Sequence, residues 1–265
     1  MVTPILMLGA GRMGGAILDG WALAQAFPPA EVMIRDPQPG PQALAAQAAG
    51  ARLNPPDEKL ATARTVLVCV KPQLWKAAAA EVSPLLAWDA VIISVAAGVR
   101  ATSLSTAFGG RSVARVMPTT AAAIGQGTAS LFAETGEVMA RARALFDPLG
   151  TVVELTDENQ MHAATGVSGS APAYLYAFIE ALEGAGAAAG LAPQDAAKLA
   201  RSTITGAAAL LARTGDEPAE LRRQVTSPGG TTEAALNVLL GSKGFPTLLR
   251  EAVAQAVRRS KELGA

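Results

Sequence analysis

A short apolar run at residues 5–8 leads directly into Gly9-Ala10-Gly11-Arg12-Met13-Gly14, and no other feature restricts the fold of this chain as strongly. Three glycines at this spacing suit a strand that turns sharply into a helix. The first permits the tight bend, the second lets the backbone approach a bulky anion, and the third lets helix pack against strand. A helix that starts there presents N–H groups and the positive end of its dipole, which together suit a pyrophosphate. A glycine triplet alone arises readily by chance. This one follows a strand, precedes a helix and heads an alternating pattern, so Gly9, Ala10, Gly11, Arg12, Met13 and Gly14 are assigned to a dinucleotide-binding turn.

The alternation continues through the first half. β-Branched runs at 32–35, 65–70, 90–95 and 112–117 follow the first, with helix-length segments at 13–26, 42–49, 74–86 and 101–108 between them. Two further runs, 128–132 and 151–155, bracket a helix at 136–146 and extend the sheet's edge. Strand and helix in alternation imply right-handed βαβ units and a parallel sheet covered on both faces. After residue 155 the β-branched runs stop, and helices are expected at 158–167, 172–189, 193–213, 218–225, 231–239 and 245–263. Pro172, Pro193 and Pro218 stand near helix starts, and Gly190 and Gly215 near helix ends. The expected architecture is an α/β Rossmann-type N-terminal domain with a parallel sheet over residues 1–157, followed by an all-α C-terminal domain over 158–265.

Several function classes are disfavoured. Lysine plus arginine equals aspartate plus glutamate at 22 each, so no electrostatic footprint favours a nucleic acid or an anionic membrane. The weakly polar stretch 172–191 contains Glu180 and Glu183 and is rich in small residues, which suits a packed helix rather than a membrane span. The N-terminus lacks the basic segment and cleavage site of a signal peptide. A single cysteine, Cys69, lies in an apolar run as a buried, inert thiol, and the chain is expected to be cytoplasmic. With one histidine and one cysteine, no metal site is expected. Aromatics are only 4% while alanine abounds, so the helices should cross closely and self-associate into a homo-oligomer.

Two loops carry the remaining chemistry. The second strand ends in Ile34-Arg35-Asp36, where an acidic residue would bond the ribose 2′-OH of NAD, whereas Arg35 suits the 2′-phosphate of NADP. A solvated Arg35–Asp36 pair is the bland alternative. Arg35 favours NADP, with NAD left open. The loop Thr226-Ser227-Pro228-Gly229-Gly230-Thr231-Thr232 removes side chains just where a helix begins. Gly229 and Gly230 leave bare N–H donors, Thr231 and Thr232 add hydroxyls, and a carboxylate is the fitting ligand. A simple glycine cap would need only one of these residues.

Five segments resemble the pyrroline-5-carboxylate reductase family along nearly the whole chain. They are VLVCVKPQ (66–73), IISVAAGV (92–99), RVMPTTAAAIGQGT (115–128), TGVSGSAPAYLYAFIEAL (165–182) and QVTSPGGTTEAALNVL (224–239). The resemblance implies hydride transfer from a nicotinamide cofactor to the C=N bond of 1-pyrroline-5-carboxylate, giving L-proline. It places Val70, Lys71, Pro72, Ala96 and Ala97 along the nicotinamide half of the cofactor. It gives the substrate carboxylate to the 227–232 loop, with Ser227 among its residues, the ring nitrogen to Thr232, and a substrate contact to Glu158. It also makes 158–265 a helical domain for substrate binding and dimerisation, with intertwined dimers or dimer-based rings as the assembly.

Departures from the family pattern stand at Pro56, Thr119, Ala121, Ala171 and His162, most of them near the cofactor or the domain junction. His162, the sole histidine, is assigned to a helix surface or the junction, and Ser170 to a helix start rather than to catalysis. Two rivals remain. A β-hydroxyacid-type dehydrogenase would need a lysine on a helix beside the substrate, and 158–190 contains none. A non-catalytic cofactor-binding regulator draws its support only from the departures.

Overall fold

The computed structural model describes residues 2–263. They form two compact units, one within residues 1–169 and 256–265, the other within 170–255. In the first, strands β1 (Ile5–Leu8), β2 (Val32–Arg35), β3 (Arg52–Leu53), β4 (Thr65–Val68), β5 (Val91–Ser94), β6 (Val113–Pro118), β7 (Gly127–Ala133) and β8 (Gly150–Glu154) make one sheet. Its order is β3-β2-β1-β4-β5-β6-β7-β8. Through β6 this is the doubly wound arrangement, whose strand order reverses between β1 and β4.

Alternation along each strand builds two cores. Ile5 and Met7 of β1, Ile34 and Leu67 join Ile17 and Trp21 on one face. Leu6 and Leu8, Met33, Val66 and Val68 join Trp75, Leu104 and Phe108 on the other. Strands buried on both faces read as unbroken apolar runs, which is why the sequence marks them so clearly. The covering helices are α1 (Arg12–Ala24), α2 (Pro41–Ala48), α3 (Asp57–Leu60), α4 (Trp75–Val82), α5 (Ala101–Ala107) and α6 (Gly136–Phe146), followed by the short α7 (Gln160–Ala164). The indole N–H of Trp21 in α1 donates to the Leu145 carbonyl at 2.8 Å, joining α1 to the end of α6.

One expectation needs correction. The sheet is not wholly parallel, because β7 runs antiparallel to β6. Only a short turn at Thr120–Ile124 joins them, and a parallel return needs a longer crossover. The two-residue β3, paired with β2, escaped the sequence pattern altogether. The loss of β periodicity near residue 157 also does not coincide with the division between units at 169/170. After β8 the chain stays on the first unit: Met161 is buried, and a Cβ on Gly169 would meet Met117 Sδ at 3.1 Å.

The second unit is helical, with α8 (Ala171–Ala188), α9 (Pro193–Thr214), α10 (Pro218–Gln224), α11 (Thr231–Leu239) and the first part of α12 (Phe245–Glu262). Close crossing through small residues is realised where a Cβ on Gly186 would meet Ala196 Cβ at 3.1 Å. Yet α8, α10 and α11 bury no residue, and Leu175, Tyr176, Leu199, Leu210, Val238 and Leu248 stand exposed. Apolar surface of this extent is the mark of an interaction face. Among the described residues, no helix is long and apolar enough to cross a membrane.

Candidate functional site

The glycine turn is built as its spacing requires. Gly9 has φ +86°, its N–H donates to the Arg35 carbonyl at 2.9 Å, and an added Cβ would press on Val70 and the Cys69 backbone. A Cβ on Gly14 would collide with the Gly9 carbonyl oxygen, so the third glycine lets α1 lie against the turn. Gly11 differs, because a Cβ there would meet nothing within 4 Å. No packing demand explains a glycine at that position, because the space before it is open. Gly11 is also the N-cap of α1 and offers no side-chain cap, an arrangement that suits an anion at the helix start. Ala10 is buried, Met13 half-buried and Arg12 exposed.

Neighbouring strands bring the other cofactor candidates to the same edge. β1 pairs with β4 and β4 with β5, so the segments after Leu8, Val68 and Ser94 emerge side by side. Val70, Lys71 and Pro72 follow β4, and Ala96 and Ala97 follow β5, with Lys71 exposed and Ala96 buried. Ligands of open α/β sheets bind outside these carboxyl ends. Cys69, expected to be buried, is half-buried beside the turn, its Cβ 3.3 Å from a Cβ on Gly14, and burial raises its thiol pKa.

On the other side of the reversal point, Leu8, Arg35, Asn54, Asp57, Leu74 and Glu81 line a cavity of about 540 Å³. Its position at the ends of β1, β2 and β4 fits the adenosine half of a dinucleotide, and the open space before Gly11 fits the pyrophosphate. The bland alternative, a solvated Arg35–Asp36 pair, is not what the structure forms. Arg35 instead holds Asp57 at 2.6 Å and Glu81 at 2.7 Å, and these carboxylates, the Asp57 hydrogen bond first, raise its pKa. The nearly buried Asp36 accepts from the Ala10 N–H at 2.6 Å and the Gln38 N–H at 2.8 Å. Asn54 closes the arrangement, accepting from the Asp36 N–H and donating to the Asp36 carbonyl, both at 2.9 Å. Sequence reasoning missed Asn54; its signal was an Asn before Pro55-Pro56, in a turn where it takes φ +46°.

Glu158 has structural work. Its carboxylate accepts from the Ala101 N–H at 2.7 Å, capping α5, and from the buried Arg115 at 2.9 Å, with Arg100 at 3.7 Å. Burial lowers the Arg115 pKa and the Glu158 hydrogen bond opposes that shift. Removing one partner of such a pair leaves a charge buried and unmatched. Glu158→Ala is therefore expected to lower the unfolding free energy by about 3–5 kcal/mol, and Glu158→Gln by less, as read by urea denaturation. A change under about 0.5 kcal/mol, within the range of ordinary surface substitutions, would contradict this role. Nearby, the helix-surface alternative for His162 is excluded: it is buried, with Nδ1 2.9 Å from Ser260 Oγ. Burial first, then the charges of Arg115, Lys261 and Arg100, lower its pKa, so it rests neutral.

In the second unit the 227–232 loop ends at Gly230, the N-cap of α11, which has no side-chain cap. Gly229 takes φ +70°, a conformation that favours glycine. Its N–H is not bare as expected, since it donates to Glu233 Oε2 at 2.7 Å, and the Gly230 N–H closes a turn on the Ser227 carbonyl at 3.0 Å. The loop thus already binds one carboxylate, its own. Ser227 and Thr231 are exposed and Thr232 is half-buried in the first turn of α11. Among the described residues, no group of three His, Cys, Asp or Glu side chains is placed to hold a metal.

Comparison with known proteins agrees with both halves. A family model described as NADP oxidoreductase, coenzyme F420-dependent, matches residues 4–98, and one described as pyrroline-5-carboxylate reductase dimerisation matches 158–263. The pyrroline-5-carboxylate reductase of Pseudomonas aeruginosa is 38% identical, covering 99% of this chain and 98% of its own. The solved structure of a pyrroline-5-carboxylate reductase from Coxiella burnetii superposes with TM-score 0.90 at 29% identity, covering both chains fully. That of Plasmodium falciparum pyrroline carboxylate reductase with NADP bound has TM-score 0.83 at 25% identity, covering 98% of each. At 38% identity over 99% of its length to one such enzyme, the chain belongs to the pyrroline-5-carboxylate reductase family.

Proposed function

We propose that this protein reduces the C=N bond of 1-pyrroline-5-carboxylate to L-proline, the last step of proline biosynthesis, as an NAD(P)H-dependent oxidoreductase. The observation that carries the reading is the glycine turn whose middle residue, Gly11, faces open space. Bound there, NADP or NAD supplies the hydride. The turn and the N-terminus of α1 hold the pyrophosphate, while Val70, Lys71, Pro72, Ala96 and Ala97 lie along the strand ends where the nicotinamide half belongs. In the 227–232 loop, Ser227, Gly229, Gly230 and Thr231 take the substrate carboxylate, and Glu233 yields the Gly229 N–H when it arrives. The Thr232 hydroxyl serves the ring nitrogen. That nitrogen is far more basic than a ketone oxygen and takes its proton readily, so the site needs no strong general acid. His162, buried against Ser260, is left out of the chemistry. Consumption of NADPH or NADH dependent on pyrroline-5-carboxylate, with equimolar proline formed, is the expected result. A cofactor-binding regulator would give none.

The same reading makes the protein a homodimer or a ring of dimers, joined through the helices after residue 158. The uncovered apolar residues of α8, α9, α11 and α12 support it. An isologous interface of this kind should persist on dilution. Light scattering at micromolar concentration is expected to return at least twice the chain mass of 26.9 kDa, and a monomer mass would contradict the assembly.

A further inference from the structure

We infer that His162 and Ser260 form an acid-sensitive clasp, which holds the C-terminal end of α12 on the first unit at neutral pH and releases it when His162 takes up a proton. The clasp is independent of the reaction proposed above. The chain leaves the first unit after Gly169 and returns to it at Ala256. His162 lies in α7, shortly before the exit, and Ser260 lies in α12, shortly after the return. Their Nδ1 and Oγ atoms are 2.9 Å apart. Both residues are buried, and among the described residues of α12 Ser260 alone is so. The rest of 256–263 is half-buried or exposed, which makes this contact the deepest hold of the first unit on the returning segment.

The surroundings of the imidazole decide its response to acid. Arg115 faces it from β6, Arg100 from the residue before α5, Lys261 from α12 and Glu158 from the turn before α7. β7 also packs on α7 and carries no ionisable side chain. Glu158 is the one carboxylate of this group, and the Ala101 N–H, Arg115 at 2.9 Å and Arg100 at 3.7 Å already engage it. A proton on His162 therefore adds a fourth cation beside a single anion, at a buried position. Lifting 256–263 away relieves the strain, because Lys261 departs and water reaches the ring. The direction follows from the lowered pKa of the folded-state imidazole. The docked segment has its full stability above the ordinary imidazole pKa of roughly 6.5, and loses it as pH falls from there towards the lowered value.

The test is hydrogen exchange of the full chain, read by mass spectrometry at pH 7.5 and pH 5.5 and corrected for the intrinsic pH dependence of exchange. Protection of 256–263 in the wild type is expected to fall by about three- to tenfold, tenfold being the ceiling one pH unit below an ordinary imidazole pKa. His162→Asn keeps a polar atom near the Nδ1 position and takes up no proton in this range, so its protection should not change with pH. Ser260→Ala removes the partner and should lower protection of the segment by roughly two- to tenfold already at pH 7.5. Since the chain has one histidine, NMR of histidine-labelled protein reads its titration without ambiguity, and a midpoint below about 6.5 is expected. Equal wild-type protection at both pH values would overturn the clasp, as would an equal fall in His162→Asn. Should His162→Asn fail to fold, the wild-type titration decides: a histidine midpoint at or above about 6.5 overturns the clasp.

Discussion

Gly11→Val is expected to abolish dinucleotide binding while leaving the folded protein almost untouched. In the structure an added Cβ at this position meets no atom within 4 Å, so a branched side chain costs the fold little beyond helix-start propensity. In the proposed site, the space it would fill is where the pyrophosphate approaches. Losing several charge-assisted hydrogen bonds at about 1.5–3 kcal/mol each should weaken NADPH and NADH binding by more than about a hundredfold. Gly14→Ala supplies the contrast, because its Cβ would collide with the Gly9 carbonyl oxygen. Overpacking of that kind typically costs about 1–3 kcal/mol, so Gly14→Ala should lose thermal stability first and affinity only as a consequence. Titration and thermal melting of both variants check the pair. Normal nucleotide affinity in Gly11→Val would remove the turn from the site.

Gly230→Leu is expected to stop pyrroline-5-carboxylate reduction while nucleotide affinity persists. A Cβ on Gly230 lies 3.0 Å from the Ser227 carbonyl oxygen, so a leucine both displaces that turn and covers the start of α11. Thr232→Ala acts differently: it removes one hydroxyl and leaves the backbone donors in place. Loss of that single hydrogen bond should reduce kcat/KM by about three- to a hundredfold. The fall should appear mainly in kcat if the bond strengthens as the nitrogen becomes an amine. Proline, tested as a product inhibitor, should still bind Thr232→Ala and fail to bind Gly230→Leu. Near-normal turnover by Gly230→Leu would place the carboxylate elsewhere.

The parts of this molecule that the sequence made legible are those governed by local pattern. Ile5–Leu8 and Thr65–Val68 announce themselves because both faces are buried, and Gly136–Phe146 and Thr231–Leu239 fall on the helices expected for them. Pairings between distant residues were not legible. Nothing near Arg35 in the chain signals that Asp57 and Glu81 will claim it, and nothing near Glu158 signals Arg115, 43 residues earlier. Direction in the sheet was also hidden: Gly127–Ala133 reads the same whether it runs parallel or antiparallel, and only the brevity of the turn before it decides. The turn and the loop were found from their glycines, and the positive φ at Gly9 and Gly229 favours that residue. The carboxylates that contact the turn and the loop came only from three-dimensional placement.

Hydride transfer to the imine carbon of the pyrroline, which becomes C5 of proline, is read directly by isotopic labelling. Incubated with pyrroline-5-carboxylate and nicotinamide cofactor carrying deuterium in the transferable C4 position, the protein should yield proline with one deuterium at C5, seen by mass spectrometry and NMR. The same cofactor with Gly11→Val should yield none. Cofactor consumed without deuterium in proline, or no consumption by wild-type protein that binds the cofactor, would contradict the account.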